Sequence, residues 1–96
     1  MSHPLSDSEI EVALSGLPGW SRDGDQLAKT YTFGSFREAV SFITRIAFEA
    51  EDMNHHPDLA NVYNKVSIAL STHDTGGKIT EKDVKLAQKI EDISWV

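Results

Sequence analysis

Apolar residues along this chain recur with two different periods, and each change of period marks the border of an element. Ile10, Ala13, Leu14 and Leu17 stand at i, i+3, i+4 and i+7, one stripe of a helix, and Ser6 with Glu9 has capping-box spacing at its start. Gly16, Pro18 and Gly19 end the pattern. The run WSRDGDQLAKTYTF then reads as two strands about a tight turn at Asp23 and Gly24, a pair that tolerates positive φ, with Leu27, Tyr31 and Phe33 on one face. Ser35 and Glu38 repeat the capping-box spacing and open a second helix. Its spacing predicts Phe36, Val40, Ile43, Ala47 and Ala50 inward and an end near Asn54, since Pro57 cannot continue it. LANVYNKVSIALST predicts two further strands with a turn between Asn61 and Lys65, Val66, Ile68 and Leu70 alternating inward. After the loop HDTGGK, Thr80 caps a last helix with a stripe of Leu86, Ala87, Ile90 and Ile93. Asp83 precedes Leu86 and Ala87 by three and four residues and so points to the same buried side.

Helix, two strands, helix, two strands, helix, with hairpin-length links, predicts an α+β fold: a four-stranded antiparallel sheet with helices packed on one face. No repeat, low-complexity tract or linker divides residues 1–96, so one domain is expected. The uncovered sheet face and edges invite a partner subunit.

Composition narrows the function classes. At 96 residues and 40% hydrophobic content, folding buries only roughly 60–70% of the chain's surface, which makes oligomerisation an expected way to bury more. Fifteen acidic against nine basic residues leave a net charge of −6, so no direct nucleic-acid partner and no anionic membrane partner is expected. The absence of cysteine excludes a disulfide framework, a thiolate zinc site and a cysteine nucleophile. No apolar run is long enough to span a bilayer, and the first ten residues lack a basic segment followed by an apolar one. A cytoplasmic protein is the simplest expectation.

The chemistry concentrates where two of the four histidines stand side by side, in AEDMNHHPD. Glu51 and His55 are four apart, as are Asp52 and His56, so a helix persisting this far stacks each imidazole over a carboxylate. One such histidine would be explained by the negative end of the helix dipole; a pair is harder to explain that way. His73 ends a strand whose alternate residues Ser67, Ala69 and Ser71 are small, which leaves room for a flat ligand or marks a solvent-facing side. Asp83 taken alone is a first-turn acid complementing a helix N-terminus. No H-x-x-x-H or H-x-H pair occurs, so acid/base chemistry ranks above a metal site. Gly76-Gly77 lacks the phosphate-loop lysine pattern. Trp20 and Tyr63 read as core or sheet aromatics able to edge a pocket, and His3 has no assigned role.

The order Glu51, His55-His56-Pro57, Tyr63, His73, Asp83, with NHHPDLANVYNKVSIALSTHD running through it, resembles the pterin-4a-carbinolamine dehydratase family from about Trp20 onward. The resemblance implies dehydration of 4a-hydroxytetrahydropterin (4a-hydroxytetrahydrobiopterin), released by aromatic amino acid hydroxylases, to quinonoid dihydropterin. That reaction protonates the C4a hydroxyl and removes a ring-nitrogen proton near neutral pH, within the range of imidazole. It also implies His55 and His73 as acid/base groups, His56 as the pterin holder, and Glu51 and Asp83 as orienters of imidazoles. Backbone around Pro57 and Thr72, His73 and Asp74 would line the pocket. No metal or other cofactor is implied. Family members form dimers and often tetramers, so a homodimer or homotetramer is expected. Animal members also act as dimerisation cofactors of a homeodomain transcription factor, which keeps a protein interaction module as the alternative.

Overall fold

A computed structural model describes residues 3–95. The chain runs α1 (Asp7–Ser15), β1 (Ser21–Asp23), β2 (Gln26–Thr32), α2 (Phe36–Met53), β3 (Asp58–Val62), β4 (Lys65–Leu70), a 3-10 turn (His73–Thr75) and α3 (Glu81–Asp92). All pairings are antiparallel and the strand order is β1-β2-β4-β3, so β1 and β3 are the sheet edges. Leu27 and Tyr31 of β2 with Val66, Ile68 and Leu70 of β4 face the helices. They form one core with Phe42 and Ile46 of α2 and Leu86, Ala87 and Ile90 of α3. This is the α+β arrangement that the periodicity predicts. Among the described residues no helix is long and apolar enough to cross a membrane.

Local chemistry starts each helix. Ser6 and Glu9 form both bonds of a capping box at α1, and Thr80 with Asp83 does the same at α3. The second expected box is only half made. Ser35 accepts from the Glu38 N–H, but the Glu38 carboxylate reaches past it to the Gly34 N–H at 2.7 Å.

Two expectations shift in register. The β1–β2 turn lies at Gly24-Asp25, with Asp23 paired to Gln26, because a turn led by glycine needs positive φ only there; Gly24 has φ 61°. In α2 the buried stripe is Ala39, Phe42, Ile46 and Ala50, whereas Phe36, Val40 and Ala47 are exposed and Ile43 half-buried. The two stripes lie side by side on one helix, so spacing cannot choose between them. Aromatic packing does: the Phe42 ring lies 4.8 Å from Tyr31 and 5.0 Å from Phe33.

One carboxylate oxygen locks the far end of the helical layer. Glu91 Oε2 accepts from Lys29 Nζ at 2.6 Å, from Trp20 Nε1 at 3.2 Å and from the Tyr31 hydroxyl. Burial alone would raise the Glu91 pKa; the Lys29 and Tyr31 hydrogen bonds, the Lys29 charge and the Trp20 bond outweigh it and hold the group below its usual 4.5. Burial first, then Glu91, pushes the Tyr31 hydroxyl above the ordinary tyrosine range. A depressed carboxylate stabilises the fold above its unfolded pKa, and that contribution is lost as pH falls through the folded value. Glu91→Gln is therefore expected to lower stability by about 1–3 kcal/mol at pH 7. Urea titrations should show the gap to wild type narrowing at pH values below the unfolded 4.5.

Candidate functional site

The site begins where α2 stops. Asn54 adopts the left-handed region (φ 50°, ψ 43°), its N–H and that of His55 return to the Ala50 carbonyl and its neighbour, and Pro57 bars a return to helix. This reversal separates the two histidines. His55 turns inward and is buried, its Nε2 2.6 Å from Asp83 Oδ1; His56 turns outward, its Nε2 2.7 Å from Glu51 Oε1.

The carboxylate pairing thus differs from the i, i+4 expectation. Glu51 serves His56 rather than His55, and Asp52 joins neither pair among the described residues. The left-handed Asn54 interposes before either histidine and breaks helical spacing.

Asp83 has no exposed surface, and its two oxygens are well occupied. Oδ1 faces His55, while Oδ2 accepts the Thr72 hydroxyl at 2.8 Å and the Thr80 N–H at 2.9 Å. It is at once the third helical residue of the α3 capping box and the partner of a cleft histidine. Both readings open in the sequence describe it.

A short loop presents the third imidazole. Beyond β4, Thr72 bridges to Lys78, the Gly77 N–H returns to the Thr72 carbonyl, and Gly76 and Gly77 take φ of 75° and 84°. Those angles suit glycine, so this pair closes the loop and leaves His73 exposed on the 3-10 turn.

Asn54, His55, His56, Thr72, His73, Asp74 and Lys82 line one cleft of about 500 Å³, within the usual size of a small-molecule site. The structure therefore brings His55, His56, Thr72, His73 and Asp74 together, with Glu51 and Asp83 each bonded to one of the imidazoles. Pro57 shapes the chain reversal and is not in the lining. Asn54 and Lys82 were not singled out from the sequence. The tolerance of asparagine for left-handed backbone before a proline was a usable signal for the first; the second follows only from its place beside Asp83 at the helix start.

Ser67 and Ala69 lie on the uncovered sheet face rather than in the cleft. With Ala28, Thr30 and Ala60 they floor a separate concavity of about 440 Å³. Trp20 is core, and Tyr63 is exposed at the β3–β4 turn with φ 53°, edging no part of the cleft. His3 is exposed and outside it. Among the described residues no three His, Asp or Glu side chains gather as a metal-holding group.

These features accompany a clear kinship. The sequence profile of the family described as "Pterin 4 alpha carbinolamine dehydratase" matches residues 3–93, and the chain belongs to that family. A protein of Opitutus terrae, provisionally named a pterin-4-alpha-carbinolamine dehydratase, is 58% identical over 92 residues, which cover 96% of this chain and 95% of that one. A similarly named protein of Thermomicrobium roseum is 47% identical over 94% of this chain and 96% of its own. Among solved structures, a transcriptional coactivator/pterin dehydratase from Brucella melitensis superposes with TM-score 0.92 at 34% identity, covering 97% of this chain and all of that one. A pterin dehydratase-like protein identified as a RuBisCO assembly factor in the alpha-carboxysome shares the fold, with TM-score 0.63 at 21% identity over 78% of this chain and 86% of its own.

Proposed function

We propose that this protein dehydrates 4a-hydroxytetrahydropterin, such as 4a-hydroxytetrahydrobiopterin, to quinonoid dihydropterin, and so recycles pterin for aromatic amino acid hydroxylases in the cytoplasm. One observation carries this reading: three imidazoles meet at one cleft, two with Nε2 held by a carboxylate and the third without a protein hydrogen bond among the described residues. In the reaction the C4a–O bond breaks and the oxygen leaves as water after gaining a proton. The adjacent ring nitrogen gives up its proton, and the freed electron pair forms the new C=N bond.

The difference in partners divides the labour. A carboxylate accepting at Nε2 places the His55 hydrogen there and leaves the Nδ1 lone pair to take the ring-nitrogen proton, with Asp83 stabilising the resulting imidazolium. His73, with neither ring nitrogen engaged among the described residues, protonates the hydroxyl. His56, exposed and steadied by Glu51, holds the pterin. Such proton transfer needs neither metal nor cofactor, and turnover is expected to survive a chelator.

Titration with 7,8-dihydrobiopterin, a stable compound of the product class, tests the site. Imidazole NMR signals of His55, His56 and His73 should shift on binding while those of His3 stay still. Saturation that leaves the three cleft signals unmoved would place the pterin elsewhere and overturn the assignment.

The assembly proposed with this function is a homodimer or homotetramer. Phe36, Val40, Ala47 and Phe48 expose apolar surface on α2, and β1 and β3 are open edges. Light scattering at micromolar concentration should give a multiple of the 10.6 kDa chain, and Val40→Glu should shift it toward smaller species. A wild-type monomer would refute this. The same stripe favours, as a second reading, a protein-binding role beside the enzymatic one, and capture of a partner that survives His55→Ala would support separate surfaces.

A further inference from the structure

We propose that Thr80, the residue that caps α3, is also a positioning residue for the dehydration step, acting through Thr72 and Asp83 on His55; this rests on the dehydratase reading above. The hydrogen count sets the direction of the bonds. Thr72 has one hydroxyl hydrogen, and it goes to Asp83 Oδ2 at 2.8 Å. At the 2.7 Å contact between the two threonine hydroxyls, Thr80 must therefore be the donor. The Thr80 oxygen in turn accepts the Lys82 N–H at 3.2 Å. One chain of donors thus runs from the first turn of α3 through Thr80 and Thr72 into Asp83, whose other oxygen meets His55 Nε2 at 2.6 Å. Thr72, Thr80, Asp83 and His55 are all buried.

In such a setting successive hydrogen bonds polarise one another, and water is poorly placed to substitute for a missing donor. Oδ2 is filled by Thr72 and by the Thr80 N–H, which stops the carboxylate from turning and leaves Oδ1 aimed at the imidazole. That aim keeps the His55 hydrogen on Nε2 and the lone pair on Nδ1. Removing the Thr80 hydroxyl leaves the Thr72 oxygen without its donor, so the Thr72 hydroxyl is no longer polarised and binds Asp83 Oδ2 more weakly. A residue that merely capped the helix would affect stability alone.

The test compares Thr80→Val, Thr80→Ser and Thr72→Val with wild type at a temperature where circular dichroism shows each folded. Thr80→Val is expected to lower kcat roughly 3- to 10-fold, the worth of one neutral hydrogen bond, with KM changed less than about twofold. Nitrogen-15 NMR should show the single Nε2–H tautomer of His55 giving way to a mixture. Thr80→Ser should restore both, and Thr72→Val, which leaves the cap intact, should reproduce the loss. Wild-type kcat and an unchanged His55 tautomer in folded Thr80→Val would overturn the proposal. If Thr80→Val does not fold, the wild-type spectrum decides: a slowly exchanging Thr80 hydroxyl with His55 protonated at Nε2 supports the relay, and a Nδ1–H tautomer refutes it. The tautomer is read without turnover, so an inactive wild type with the Nε2–H signal intact would refute the proposed reaction and not the relay.

Discussion

His55→Ala is expected to lower the turnover number by roughly 10²- to 10⁴-fold, the usual worth of a positioned acid or base, or about 3–5 kcal/mol of barrier. His73→Ala should act in the same direction, by less where water replaces an exposed imidazole. His56→Ala should act mainly on KM, because a group that grips ground and transition states alike changes binding more than kcat. His55 also fills a buried position, and its removal leaves Asp83 Oδ1 unpaired at a cost of about 1–3 kcal/mol. A melting curve must accompany each assay to separate lost chemistry from lost fold. Folded His55→Ala and His73→Ala, singly and together, turning over like wild type would remove the acid/base assignment.

Asp83→Asn is expected to be nearly as damaging although it changes almost no volume. The amide has one acceptor and one donor group, and Oδ2 of the native residue already answers two donors. If the amide oxygen keeps that place, the NH₂ faces His55 Nε2 and forces the ring hydrogen to Nδ1, removing the lone pair proposed to take the substrate proton. Turnover should fall at least about 10²-fold; in serine proteases the corresponding wrong-tautomer exchange is worth ~10⁴. If the amide flips, the NH₂ opposes the Thr80 N–H and the cap weakens instead. Urea unfolding beside steady-state kinetics reads both, and a stable, fully active Asp83→Asn would show that the carboxylate does not set the His55 tautomer.

The sequence carries the elements and their order because their causes are local. Ser6 with Glu9 and Thr80 with Asp83 satisfy helix N–H groups within three residues, and Val66, Ile68 and Leu70 alternate within one strand. What stayed hidden depends on contacts between distant segments. Which of two stripes α2 buries is decided by Tyr31 and Phe33 on and beyond β2. The carboxylate opposite each histidine is decided by one left-handed residue, Asn54, after which counting along a helix no longer applies. The Thr72–Thr80 contact joins the ends of a loop and has no spacing rule at all. For the cleft, the sequence brought forward the residue types and their grouping. Their partners came from three-dimensional packing.

The most direct test of the account is a stopped-flow assay with freshly generated 4a-carbinolamine, following quinonoid dihydropterin at neutral pH with the uncatalysed rate subtracted. Dehydration that accelerates in proportion to enzyme, persists in chelator, and collapses in the folded His55→Ala/His73→Ala double variant is the predicted result. A wild-type rate no greater than the uncatalysed one, or a double variant as active as wild type, would contradict it.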